Sequence, residues 1–183
     1  GIFMKKTNFK RIILTALAII LALSMCFAVV GCSDGDGEDK GTNKGTNNEN
    51  GISAKEALEG YCKASIVDYD VDATMAYFHE DVLAVFCEEQ GMTIEEYEET
   101  LSQGFDLLKA VGEQGAVVDY EITDNDDFDS SVIIDKYAEY GIEFDEVASF
   151  IVTTHIEFDG QAQDQEEATY LVKIDGDWYI CFA

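Results

Sequence analysis

Two changes in the pattern of apolar and polar positions divide the chain. From Ile12 to Val30 there is no charged side chain, only a run rich in Leu, Ile, Ala and Val. From Ser33 to about Gly51 the pattern inverts, to Asp, Gly, Asn, Thr, Glu, Ser and Lys with nothing apolar to bury. Such a stretch cannot offset its ordering entropy, and it predicts a disordered tether. Apolar residues return at Ile52, first at helical spacing and later at period two.

The helical part opens at Ser53, which with Glu56 three residues on forms a capping box. Ala54, Ala57, Leu58, Tyr61, Cys62, Ser65, Ile66 and Tyr69 then make one stripe, predicting a helix that runs through Tyr69. A short segment over 72–78 follows, then a helix from about Asp81 to Gln90 with Gly91 as a left-handed stop. Thr93 and Glu96 form a second capping box, opening a helix that buries Ile94, Tyr97, Leu101, Phe105 and Leu108.

The second half alternates. Val118, Tyr120 and Ile122 predict a strand, and Val132 to Tyr140 a short helix ended by Gly141. A long strand follows, with Ala148, Phe150, Val152, Thr154, Ile156 and Phe158 on one face and Ile151, Thr153, His155 and Glu157 on the other. Asp159-Gly160 is a hairpin signal, with Ala168, Tyr170, Val172 and Ile174 on the return strand. Asp175-Gly176 turns the chain again into Trp178, Ile180 and Phe182. Helices first and an antiparallel meander last predict an α+β domain over residues 52–183, its N-terminal helices packed on one face of a curved antiparallel sheet.

The apolar run near the start is long enough to cross a bilayer, so a permanent transmembrane helix competes with an export signal. Its flanks favour the signal. Met4 is followed by Lys5, Lys6, Lys10 and Arg11, and the run ends in Val29-Val30-Gly31-Cys32. That ending resembles the lipobox of bacterial lipoproteins, which implies cleavage after Gly31 and a diacylglycerol on Cys32. Residues 1–31 are then a signal peptide, 1–3 an extension upstream of Met4, and 32–51 a lipidated cysteine and its tether. The bilayer becomes one partner, reached through Cys32 from the extracytoplasmic side.

Charge narrows the remaining partners. The leader takes four cations with it, leaving seven lysines, no arginine and 38 acidic residues, a net charge of −31. A chain so acidic repels phosphate backbones, which excludes nucleic acid, and lacks the bidentate arginine clamp for anionic ligands. Cys62, Cys87 and Cys181 have apolar neighbours and no zinc-like spacing, favouring buried thiols. A Cys62–Cys181 disulfide is the alternative.

Several segments together resemble the nuclear transport factor 2-like (cystatin-like cone) superfamily. They are the opening helix with Tyr61, the segment Asp72-Ala73-Thr74-Met75-Ala76-Tyr77-Phe78-His79, and the closing Leu171-Val172-Lys173-Ile174-Asp175-Gly176-Asp177-Trp178-Tyr179-Ile180. Glu88-Glu89-Gln90-Gly91-Met92-Thr93 and Tyr120-Glu121-Ile122-Thr123 are similar to segments of uncharacterised Firmicutes lipoproteins, implying a Gram-positive cell surface. The superfamily includes isomerases, dehydratases and non-catalytic binding modules, so the fold alone assigns no reaction.

Enzymes of that superfamily place an Asp, His or Tyr inside the cone as a proton-transfer group. His155 and Asp119 are the foremost candidates here, with His79, Tyr120 and Tyr179 behind them. No second residue is tied to either histidine by spacing, and no nucleophile elbow, phosphate loop or dinucleotide fingerprint is present. Asp124, Asp126, Asp127 and Asp129 form the densest acidic cluster. Phe128 stands where an EF-hand needs an oxygen ligand, so a solvated turn capping the next helix is expected there. No cofactor or metal is expected. The sequence favours a non-catalytic module binding a small molecule, peptide or envelope protein over a small cone-fold enzyme.

Overall fold

The computed structural model describes residues 51–183. The apolar leader, Cys32 and all of the tether except Gly51 lie outside them. Helix α1 spans Ala54–Cys62. A π-helical turn, Lys63–Asp68, continues it. Helices α2 (Val71–Met75), α3 (Glu80–Gln90) and α4 (Ile94–Gly112) follow, then strand β1 (Val117–Asp124) and helix α5 (Ser131–Ala138). Strands β2 (Glu146–Phe158), β3 (Gln161–Ile174) and β4 (Asp177–Cys181) complete a four-stranded antiparallel sheet in the order β1-β2-β3-β4. The domain is α+β, as the change of period predicts. Among the described residues, no helix is long and apolar enough to cross a membrane.

Both capping boxes form. Ser53 and Thr93 accept from the backbone of Glu56 and Glu96, whose carboxylates return the bond to the cap N–H. The helix expected to run through Tyr69 departs from α geometry after Cys62. Ser65 lies on the buried stripe, and its hydroxyl donates to the Tyr61 carbonyl at 2.8 Å, competing with the helical ladder. The bonds widen to π spacing until Tyr69 turns left-handed at φ 50° and Asp70 N–H closes the turn onto the Ala64 carbonyl. Ile66 still reaches the core and Tyr69 still packs against Phe105.

The hairpins follow from Asp-Gly pairs. Asp159 and Gly160 both adopt positive φ, the requirement of the two-residue turn whose twist matches the strands, and Phe158 pairs with Gln161. Asp175-Gly176 repeats the device, pairing Ile174 with Asp177. These turns fix which residues share a face.

Helices α1, α3 and α4 pack on one face, against Val118, Tyr120 and Ile122 of β1, Phe150, Val152 and Ile156 of β2, Leu171 of β3 and Ile180 of β4. Aromatic rings fill the centre of this layer. Phe182 stacks on Phe86 at 3.9 Å between centroids and on Phe78 at 5.5 Å, while Tyr61 and Tyr97 meet Phe78 edge-on.

The opposite face is also partly covered, contrary to the expectation that the helices take one face only. Ile133 and Tyr137 of α5 pack with Val82 and Val85 of α3 against Val172 and Cys181, with Tyr170, Ile174 and Tyr179 around them. The cause is in β3 itself. Tyr170, Val172 and Ile174 make the outer face of this strand's end apolar while Leu171 is buried on the helix side, so both faces need cover there. Further along the sheet, toward the β2–β3 turn, the outer face is left to solvent.

Candidate functional site

His155 and Asp119 come together, but on the outer face. They are cross-strand partners between β1 and β2, and Asp164 of β3 faces His155 from the other side. His155 Nδ1 lies 2.8 Å from Asp164 Oδ1, with the imidazole 43% exposed. That hydrogen bond raises the histidine pKa above its ordinary value. The nearby charges of Asp164, Glu121 and Asp119 add to the rise, and slight burial opposes it. Asp119 accepts from the adjacent Tyr120 N–H at 2.8 Å. The three form an open row beside water, with no wall to exclude solvent from a reacting group.

The other residues singled out by sequence have structural partners. His79 is the N-cap of α3, its Nδ1 accepting from Asp81 N–H at 3.3 Å, and its ring meets Tyr179 edge-on at 5.1 Å. Tyr120 points to the helix side, where its hydroxyl donates to the Glu59 carbonyl at 3.3 Å. Burial raises its pKa, and the nearby Cys62, Glu59 and Asp119 add to the rise. In the acidic turn, Asp129 Oδ1 accepts from Ser131 N–H at 2.9 Å just ahead of α5, whose N-cap Ser130 makes no side-chain cap bond. Among the described residues, no three or more His, Cys, Asp or Glu side chains are grouped to hold a metal ion.

Cys62, Cys87 and Cys181 are free thiols and buried, so the Cys62–Cys181 disulfide does not form. Burial pushes the Cys62 thiol up to about 12, and Cys87 and Cys181 also rise. Such thiols are poor nucleophiles, since the thiolate is the reactive form.

A shallow surface hollow of about 240 Å³ is lined by Asp68, Tyr69, Asp70, Val71, Asp72 and Lys109. Two of its carboxylates already have partners: Asp68 pairs with Lys63, and Asp70 caps α2 by accepting from Ala73 N–H at 3.0 Å.

A different set of groups is less well satisfied. Antiparallel partners share a face, so the register carries Gln165, Glu167 and Thr169 to the helix side, opposite Thr154, Val152 and Phe150. Thr169 is only 2% exposed. Its Oγ1 is buried with no hydrogen-bond partner among the described residues, and the same holds for Gln165 Oε1. Glu167 lies between them, and burial alone pushes its carboxyl up to about 7. By contrast Ser149, buried on the outer face, accepts from Asn125 Nδ2 at 2.9 Å. The polar row on β3 is therefore the candidate site. Thr169 is its closed end, while Gln165 and Glu167 keep partial exposure.

Sequence reasoning passed over this row because Gln161 to Glu167 reads as a polar run without an apolar face. The signal was the two-residue turn. Once Phe158 pairs with Gln161, every second residue of β3 from Gln163 shares the face of Ile156, Thr154, Val152 and Phe150. A carboxylate on that face is then a buried-acid candidate. Comparison of the chain with protein-family models, curated proteins and solved structures finds no match.

Proposed function

We propose that this chain is a lipid-anchored extracytoplasmic protein of the bacterial, Gram-positive cell surface. In this reading residues 52–183 are a nuclear transport factor 2-like, non-catalytic binding module. The leader pattern ending at Gly31-Cys32 supports the anchor, and N-terminal helices α1, α3 and α4 packed on an antiparallel meander support the cone reading. The binding reading rests on one observation: among the described residues, Gln165 Oε1 and Thr169 Oγ1 have no hydrogen-bond partner on the helix side of β3, where they flank Glu167. Buried polar atoms ordinarily have partners, and each exception calls for an explanation, which a bound molecule supplies here.

The anchor is tested by feeding cells a labelled fatty acid. Label on the wild-type chain and none on C32A supports it, whereas equal label on both sinks it. The binding surface is tested by ligand-observed NMR of the full chain in detergent micelles against a fragment library. Hits that weaken in both Q165A and T169V support the strip, and hits indifferent to both place binding elsewhere.

An enzymatic reading is favoured by the partial burial of Glu167, which pushes its carboxyl up to about 7, in the range where a general acid or base works best. Its proton-transfer group is Glu167, because His155 and Asp119 face solvent on the other side of the sheet. No partner group for such chemistry contacts Glu167 among the described residues, so binding without turnover is the better-supported reading.

A further inference from the structure

Taking the β3 strip as a binding surface, we propose that its ligand is a linear primary amine with a second hydrogen-bond donor about 7 Å from the ammonium, two residues of strand. The ammonium sits at Glu167, and the second donor reaches Gln165 Oε1 or Thr169 Oγ1.

Donor and acceptor chemistry carries the argument. A carboxylate and an amide oxygen accept, and the Thr169 hydroxyl can do the same, so the row asks for a molecule rich in N–H or O–H. The described residues do not supply one. Among the described lysines, Lys63, Lys136 and Lys173 are paired with Asp68, Glu89 and Glu146, and no described cation contacts Glu167. Lys109 lines the surface hollow beside Asp68 to Asp72, and Lys55 lies in the first turn of α1. The described domain has no arginine. An anionic ligand would meet a carboxylate with no clamp, and an apolar one would leave two buried oxygens unsatisfied. A cation meets both demands.

Spacing sets the rest of the ligand. Alternate residues on one strand face are about 7 Å apart, so a compact ion such as ammonium satisfies Glu167 and leaves its neighbours orphaned. Entry is from the Gln163–Glu167 end, where side chains keep partial exposure, toward the closed end at Thr169.

The test uses 5-amino-1-pentanol, 1-pentylamine and 1,5-pentanediol with the full chain in detergent micelles at about 0.15 M salt, which screens the acidic surface. The readouts on ¹³C,¹⁵N-labelled protein are the Glu167 side-chain carboxyl resonance, assigned by its loss in E167Q, and the side-chain resonances of Gln165 and Thr169, which report binding in E167Q as well. The proposal expects saturable shifts with the amino alcohol, weaker ones with pentylamine and none with the diol. E167Q weakens the amino alcohol about tenfold or more, the effect of one charge-assisted hydrogen bond. E167Q removes one charge of many, so non-specific attraction of a cation to the acidic surface survives it. Equal binding of diol and amine, or an affinity untouched by E167Q, overturns the amine while leaving the strip as a binding surface. Failure of every probe to move the resonances of Gln165, Glu167 and Thr169 overturns both.

Discussion

His155 and Glu167 stand three rungs apart on the β2–β3 hairpin and face opposite ways. His155 pairs with Asp164 on the solvent side, whereas Glu167 pairs with Val152, which is fully buried beneath the helices. Their ionisation responds accordingly. Carboxylate neighbours favour the charged imidazolium, and desolvation disfavours the charged glutamate.

Glu167 makes the fold sensitive to pH in a definite direction. Its carboxyl rises from 4.5 to about 7 on folding, so the folded chain holds this proton more tightly than the unfolded one. Stability from this group therefore falls as pH rises between those values and is level above them. Partial exposure tempers the penalty, which is on the order of 2 kcal/mol at pH 8. E167Q mimics the neutral acid. Urea unfolding of E167Q at pH 8 should give a higher midpoint than wild type, and the two should converge at pH 4. Coincident curves at both pH values would show that this carboxylate is not desolvated.

Thr169 makes the companion case without a charge. Its buried Oγ1 has no partner among the described residues, and valine has nearly the same shape. T169V removes an unsatisfied hydroxyl while keeping the packing against its cross-strand partner Phe150, and should stabilise the fold by about 1 kcal/mol. Denaturant titration checks the sign. A loss of stability would mean that the hydroxyl does hold a partner. A gain joined to loss of fragment binding is the trade expected of a site kept at a cost in stability.

The sequence carried the fold further than the site, and particular residues say why. Capping boxes at Ser53 and Thr93, the stop at Gly91 and the two Asp-Gly turns are local chemistry, complete within a few residues, and all appear where the pattern puts them. The π-helical turn was hidden because it depends on one hydroxyl, that of Ser65, competing for a carbonyl. Cover on the second sheet face was hidden because Tyr170, Val172 and Ile174 were read as the strand's single apolar set, although Leu171 between them is just as buried. Glu167 was hidden in a polar run. Its burial comes from Val152 across the ladder and from the helical layer over that face, and a one-strand reading sees neither.

His155 should titrate above 6.5, the value ordinary for an imidazole, because the Asp164 carboxylate accepts from the protonated ring. For a base with a raised folded pKa, the stabilisation is fully present below 6.5 and is lost as pH rises through the folded value. Proton NMR of the imidazole gives the midpoint directly. D164N should bring it down, and D119N should move it less, since Asp119 acts only through space. A midpoint unchanged in D164N would show that the 2.8 Å contact does not persist in solution.

Tyr137 ties the segment after β4 to the outer helix. Its hydroxyl donates to the Phe182 carbonyl at 3.1 Å and accepts from the Phe182 N–H at 3.3 Å. Phe182 in turn is the ring stacked on Phe86 and Phe78 at the centre of the other layer. One phenol thus links the two layers through a single residue. Y137F keeps the ring and its packing beside Phe144 but leaves a buried carbonyl and a buried N–H without this partner. That loss should cost about 2 kcal/mol, more than a surface hydrogen bond. Amide hydrogen exchange should localise it, with faster exchange at Cys181 and Phe182 and in α5, and little change in β1. Uniform acceleration across the sheet would mean that the tie belongs to the global unfolding unit instead of fastening one edge.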